Sequence, residues 1–225
     1  MIFFVYYQGK FNKMSDFQEI FYIAVGILSA ITIHECAHAW VADKLGDDTA
    51  KMEGRVTLNP LAHLDFFGTL MFIFVHFGWG KPVPVNASNF KNPWKDSILV
   101  SIAGPLSNFL LAIFLSIFLR IFVAKDIYDG YFFFLVSYIF YTNISLGVFN
   151  LLPFPPLDGS KIFQLFVPLR YRENYYRFLN DGVKYFMLFI LLDIFLFPKV
   201  LGYSIVRQIL TYVINFLVSV ILIGS

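Results

Sequence analysis

Two imidazoles and a carboxylate stand close together in the stretch Ile33-His34-Glu35-Cys36-Ala37-His38-Ala39-Trp40. The stretch lies inside an apolar run from Ile20 to Ala42, otherwise interrupted only by Gly26, Ser29 and Thr32. Such groups are costly to remove from water, so each needs a compensating partner. On a helix, His34 and His38 are four residues apart and project from one face on successive turns. That spacing lets both imidazoles reach a single Zn²⁺. Glu35, turned by one residue, flanks the site as a general base for the attacking water. Cys36 points to the opposite side and is not a ligand. The bland alternative is a solvated helical face that carries the same spacing by chance. Flanks of Ala, Ile and Val exclude it, and a metal-free, hydrogen-bonded His pair leaves Glu35 unexplained.

A catalytic zinc site takes three protein ligands and keeps a fourth position open. Few acids outside the surface loops can supply the third. Asp158 ends the segment Asn150-Leu151-Leu152-Pro153-Phe154-Pro155-Pro156-Leu157-Asp158-Gly159-Ser160. Its three prolines exclude a helix and force extended backbone that is buried in protein or lines a cavity. An acid at this position could also be a mere helix cap. Asp193, in a later apolar stretch, is the rival ligand, but no special backbone surrounds it. Asp158 is favoured, which makes His34, His38 and Asp158 the expected ligands of one zinc per chain.

The elements that must position these residues are membrane helices. The 225 residues are 58% hydrophobic, 20% aromatic and only 14% charged, with a mean hydropathy of +0.69. So few charges cannot cover a soluble surface, and a polytopic membrane protein is implied. A net charge of +2 gives no reason to expect nucleic acid. The single Cys excludes an internal disulfide.

The expected fold class is an all-α polytopic membrane protein with about five transmembrane helices. Residues 1–16 read as an N-terminal interfacial segment, or as an overcalled start with Met14 the initiator, and not as a secretory signal. Residues 17–225 form one membrane-embedded domain with its core at 17–165. The first span is expected over Phe17 to Lys44, with Gly46 as C-cap. Between the first and second spans lies a small re-entrant β/loop region. There Leu64 to Phe77 is apolar but too short to cross, and Pro82 and Pro84 alternate as on an edge strand. His63 and His76 are read as turn or interface residues. The second span, about Asp96 to Val123, carries Gly104, Pro105, Ser107 and Asn108. Asn108 is a buried amide that either glues helices together or lines the site. A third span covers Tyr131 to Asn150, followed by a basic amphipathic loop from Lys161 to Lys184. Two more spans are expected near Val183 to Phe197 and Val200 to Ile223.

Positive charge sets the orientation. Lys44, Lys51, Arg55, Lys81, Lys91 and Lys95 lie in the first loop, and Lys161, Arg170, Arg172, Arg177 and Lys184 in the third. The second loop holds only Arg120 and Lys125. The first and third loops are therefore expected in the cytoplasm, with the active site toward that side.

The order of His34-Glu35-Cys36-Ala37-His38, Ala103-Gly104-Pro105-Leu106-Ser107-Asn108 and Asn150-Leu151-Leu152-Pro153 with Pro156-Leu157-Asp158-Gly159 resembles the site-2 protease family of intramembrane zinc metalloproteases. The resemblance covers most of residues 20 to 165. Asn59-Pro60-Leu61 and Gly80-Lys81-Pro82-Val83-Pro84-Val85 are similar to the short prokaryotic branch without PDZ or CBS domains, which implies a prokaryotic cell membrane. The resemblance implies His34, His38 and Asp158 as zinc ligands, Glu35 as catalytic base and Asn150 as a contact to the substrate backbone. The expected reaction is hydrolysis of peptide bonds within or near transmembrane segments of other membrane proteins. An edge strand around Trp79 to Asn86 would hold the unwound substrate by strand addition. Two rivals are a membrane zinc carrier and a catalytically silent membrane-protein binder. A carrier is expected to show repeat symmetry, and none is visible. The complete ligand set argues against a silent binder.

Overall fold

The computed structural model describes residues 15–75, 80–128 and 130–222. Residues 1–14, His76 and Trp79 lie outside it, as do the expectations placed on them. Helix α1, Asp16–Leu45, opens on a capping box: the Ser15 hydroxyl accepts from the Gln18 N–H, and the Gln18 side chain accepts from the Ser15 N–H. Gly46 closes it at φ 107°, a left-handed conformation that glycine adopts without strain. Helix α2, Phe66–Val75, has ten residues, roughly 15 Å, too short to cross a bilayer. Helix α3, Pro93–Ala124, starts on a proline at its first turn, where the missing N–H costs nothing. Helix α4 spans Tyr131–Asn150. A short α5, Asp158–Ile162, follows the proline-rich turn. Helix α6, Arg172–Phe195, and helix α7, Ile205–Ile221, complete the chain, separated by a helical turn at Phe197–Val200.

Among the described residues, three helices are long and apolar enough to cross a membrane: Phe17–Leu45, Pro93–Ala124 and Tyr131–Asn150. They pack on one another as the central bundle, and small residues set how closely. A Cβ on Gly26 would meet the Thr142 hydroxyl at 2.6 Å, and one on Gly147 would meet the Phe109 ring at 3.0 Å. These glycines let α4 approach α1 and α3. Ser107 on α3 adds a hydroxyl donor to the Ile33 carbonyl on α1 at 3.3 Å.

The expected β region is reduced to one isolated antiparallel bridge, Leu64 to Gly80, among the described residues. Pro82 and Pro84 remove the N–H groups a longer ladder would need. The polar loop is instead gathered by the buried Asp47. Its carboxylate accepts from the Thr49 hydroxyl, from the Asn86 N–H at 2.7 Å and from the Asn89 amide at 2.8 Å.

Beyond Asn150 the structure departs from the sequence-based expectation at the start of α6. Helix α6 begins at Arg172, eleven residues before the expected start, because the basic stretch folds as an amphipathic helix and not as a loop. Its Arg172 guanidinium sits 4.2 Å over the Trp94 ring, beside the start of α3. At its other end, Ile190 joins Phe149 of α4 and Val206 of α7 in one apolar cluster. Helix α7 then runs onward to the far end of the bundle, where the Ile221 carbonyl accepts from Arg120 and Val218 packs with Leu119 and Phe133. Helix α6 thus meets the bundle beside the start of α3 and helix α7 beside its end.

Candidate metal centre

His34 and His38 project side by side from α1, both buried, with ring centroids 4.6 Å apart. Asp158, the first residue of α5, faces them. Three atoms that can bind metal converge: His34 Nε2 lies 3.0 Å from Asp158 Oδ2, His38 Nε2 lies 3.1 Å from the same oxygen, and the two nitrogens are 3.0 Å apart. Among the described residues this is the cluster of His, Cys, Asp and Glu side chains able to hold a metal ion.

The opposite side of each ring fixes which nitrogen is free. His34 Nδ1 lies 2.7 Å from Asn108 Oδ1, and His38 Nδ1 lies 2.7 Å from the Val100 carbonyl. Both partners are acceptors, because Asn108 uses its amide nitrogen on the Ala30 carbonyl and on Asn143 Oδ1. Each Nδ1 must therefore carry a proton, which leaves each neutral ring with a lone pair on Nε2. Two lone pairs and a carboxylate then face one point. Such an arrangement repels itself unless a cation occupies the centre. Tetrahedral zinc with ligand distances of about 2.0–2.1 Å separates its ligand atoms by roughly 3.3 Å, close to the spacing found. The residues fit the metal.

Space for it is kept by α3. A Cβ on Gly104 would press into the His34 ring at 2.6 Å and collide with the His38 ring. Its nearest neighbours show that Gly104 makes room for the imidazoles. Asn108 proves to do both things expected of it, bridging α1, α3 and α4 while orienting His34. Asn143, its partner, gave no signal in the sequence. The Val100 carbonyl gave none either, since backbone acceptors are not encoded by residue type.

Glu35 is half-buried at the rim, with Oε2 accepting from the Val83 N–H at 3.2 Å. Together with the ligands, Pro82, Val83, Ser101, Asn150, Pro156 and Lys161 it encloses a cavity of about 140 Å³. Asn150 is at that wall, its amide donating to its own helix at Leu146. Cys36 is outside the cluster. His63 is fully buried, and its Nε2–H donates to the Thr57 carbonyl at 2.9 Å, a turn residue as expected. Asp193, the rival ligand, is also buried. It accepts from the Ser204 hydroxyl and from the Ile205 and Val206 N–H groups at 2.7 and 3.3 Å, so it caps α7.

The approach of Asp158 depends on its flanks. A Cβ on Gly159 would collide with the Leu151 and Leu152 carbonyls. Phe154 stacks on Phe186 of α6 at 5.8 Å, and Gly182 lets α6 close over Pro155. Helix α6 thus backs the proline-rich turn that delivers the acid.

A membrane-embedded bundle with a His-His-Asp centre and an adjacent Glu defines a class, the membrane metalloproteases. The model of peptidase family M50 matches residues 22–130 and 120–194, and the chain belongs to that family, the site-2 proteases. It is 45% identical over 157 residues to "Putative zinc metalloprotease YwhC" of Bacillus subtilis, covering 65% of this chain and 69% of that protein. It is 31% identical over 142 residues to "Putative zinc metalloprotease Rip2" of Mycolicibacterium smegmatis, covering 61% of this chain and 54% of that protein. Another relative, "Putative zinc metalloprotease MJ0611" of Methanocaldococcus jannaschii, is 29% identical over 146 residues, 62% of this chain and 66% of that protein. No solved structure matches the chain.

Proposed function

We propose that this chain is an intramembrane zinc endopeptidase that cleaves other membrane proteins within or beside their transmembrane segments. The observation that carries the reading is the convergence of three acceptors deep in a membrane bundle, with an uncommitted carboxylate oxygen beside them. His34 Nε2, His38 Nε2 and Asp158 Oδ2 would hold one zinc per chain. When bound, the metal supplies Lewis acidity toward water and the scissile carbonyl. Glu35, with Oε2 engaged by Val83, takes the proton of the attacking water on its other oxygen. It returns that proton to the leaving amine, so the carboxylate is regenerated in each turnover. Asn150, at the cavity wall, would pair with the backbone of an unwound substrate. Pro82 and Pro84 offer carbonyls without competing N–H donors to the same extended chain.

In the prokaryotic cell membrane that the family resemblance implies, the charge distribution supports an orientation with the site toward the cytoplasm. Thiol labelling of single cysteines, in a Cys36→Ser background, is expected to reach 47–59 and 170–180 from the cytoplasm and 126–128 from outside. The inverse pattern contradicts the orientation. The function itself is tested by comparing membrane-protein fragments in cells carrying the wild-type chain or Glu35→Gln. Fragments should vanish with the variant, and an uncleaved membrane protein should co-purify with it. Altered zinc flux with no trapped protein would favour a carrier instead.

A further inference from the structure

Arg55 is 2% exposed and is the largest fully buried side chain among the described residues. Among the described residues no carboxylate pairs with it, and its Nε and Nη1 find no hydrogen-bond partner. An unpaired buried cation is unfavourable, and an apolar side chain of similar volume would pack at less cost. Stability therefore does not account for Arg55. Among the described residues the guanidinium holds one group: its Nη2 donates to the Lys81 carbonyl.

Lys81 is gripped from both sides. Its N–H donates to the His63 carbonyl at 2.8 Å, next to the Leu64–Gly80 bridge. Two residues further on, the Val83 N–H meets Glu35 Oε2. Pro82 and Pro84 have fixed φ and no N–H. The link from Lys81 to Val83 is thus short and stiff, and Val83 is the sole backbone donor between Lys81 and Val85. Movement of the Lys81 carbonyl is passed on to the group that aims Glu35.

We propose that Arg55 is a positioning residue: by holding the Lys81 carbonyl it sets the Pro82–Val85 wall and, through the Val83 N–H, the orientation of Glu35. This rests on the reading of Glu35 as general base. Misplacement of a catalytic group by about 1 Å lowers rates by up to roughly 100-fold without touching the metal ligands.

The test uses the full chain in lipid vesicles with a fluorescent transmembrane peptide that the wild type cleaves. Arg55→Met should keep stoichiometric zinc and an unfolding midpoint no lower than wild type, while kcat falls about 10- to 100-fold with KM little changed. Val83→Pro, which removes the donor, should give a similar fall. The double variant should be no slower than the slower single variant, because both changes break one path. Arg55→Lys, which keeps a donor and the charge, should restore part of kcat; if Arg55→Met fails to fold, this variant and its pairing with Val83→Pro decide. Wild-type kcat in Arg55→Met overturns the proposal. So do losses that multiply in the double variant, or a fall in kcat matched by loss of zinc. Glu35→Gln separates the two claims. If it remains active, the general-base reading fails; if it is inactive while Arg55→Met is fully active, only the role of Arg55 falls.

Discussion

Asp158, partly buried, and Asp193, buried, are acids in the C-terminal third of the chain, and they meet opposite surroundings. Asp193 receives donors: the Ser204 hydroxyl and two N–H groups at the start of α7. Its charge is satisfied by the helix end it caps. Asp158 faces two Nε2 atoms whose lone pairs are directed toward it by the acceptors behind each ring. The first carboxylate completes a fold. The second is left in want of a cation, and that want is what distinguishes a site from a support.

The comparison breaks most sharply by truncation. Asp158→Ala should weaken zinc binding by more than about 100-fold, since loss of even an outer partner costs 10- to 100-fold. Metal analysis of the purified variant checks this. Asp193→Ala should keep its zinc, and a loss there would reassign the third ligand.

The outer layer comes next. Asn108→Ala removes the acceptor that holds His34 in its tautomer and should cost about 10- to 100-fold in zinc affinity, read by competition with a chelator. Unchanged affinity would mean that packing alone orients the ring.

Asp193→Ala should instead lower stability by about 1–3 kcal/mol, as a lost cap with stranded N–H groups does. A lower thermal midpoint with intact zinc is the expected pattern.

A smaller effect is expected from Asp47, at the end of α1. Burial alone would raise its pKa, but hydrogen bonds from Thr49, Asn89 and Asn86 outweigh that and leave it below the ordinary carboxylate value. A depressed folded-state pKa contributes stability that is present above the unfolded value, 3.8, and lost as pH falls through the folded one. Thermal midpoints should therefore drop on acidification below about pH 4 in the wild type, and drop less in Asp47→Asn. Cys36→Ser, outside the ligand cluster, should change neither zinc content nor stability.

The spacing of His34 and His38, the C-cap at Gly46 and the span Tyr131–Asn150 were legible in the sequence because each depends on local periodicity or one residue's backbone preference. The place of Asp158 opposite the histidines was legible through its prolines. Other features depend on contacts between distant segments. Asn143 behind Asn108, and Gly104 against the imidazoles, are invisible until α1, α3 and α4 are packed. The start of α6 was missed because charged and aromatic residues alternate there at helical spacing, which in a membrane protein also describes a surface loop. The place of α7 is likewise set by distant contacts, where Asp193 caps its start and where Ile221 meets Arg120.

The most direct measurement of the central claim is zinc content and cleavage together, in wild type, Glu35→Gln and Asp158→Ala purified under the same conditions. One zinc per chain is expected in wild type and in Glu35→Gln, with cleavage lost from the latter by about 10²- to 10⁴-fold, and neither zinc nor cleavage in Asp158→Ala. Full zinc in Asp158→Ala, or wild-type cleavage by Glu35→Gln, would contradict the account.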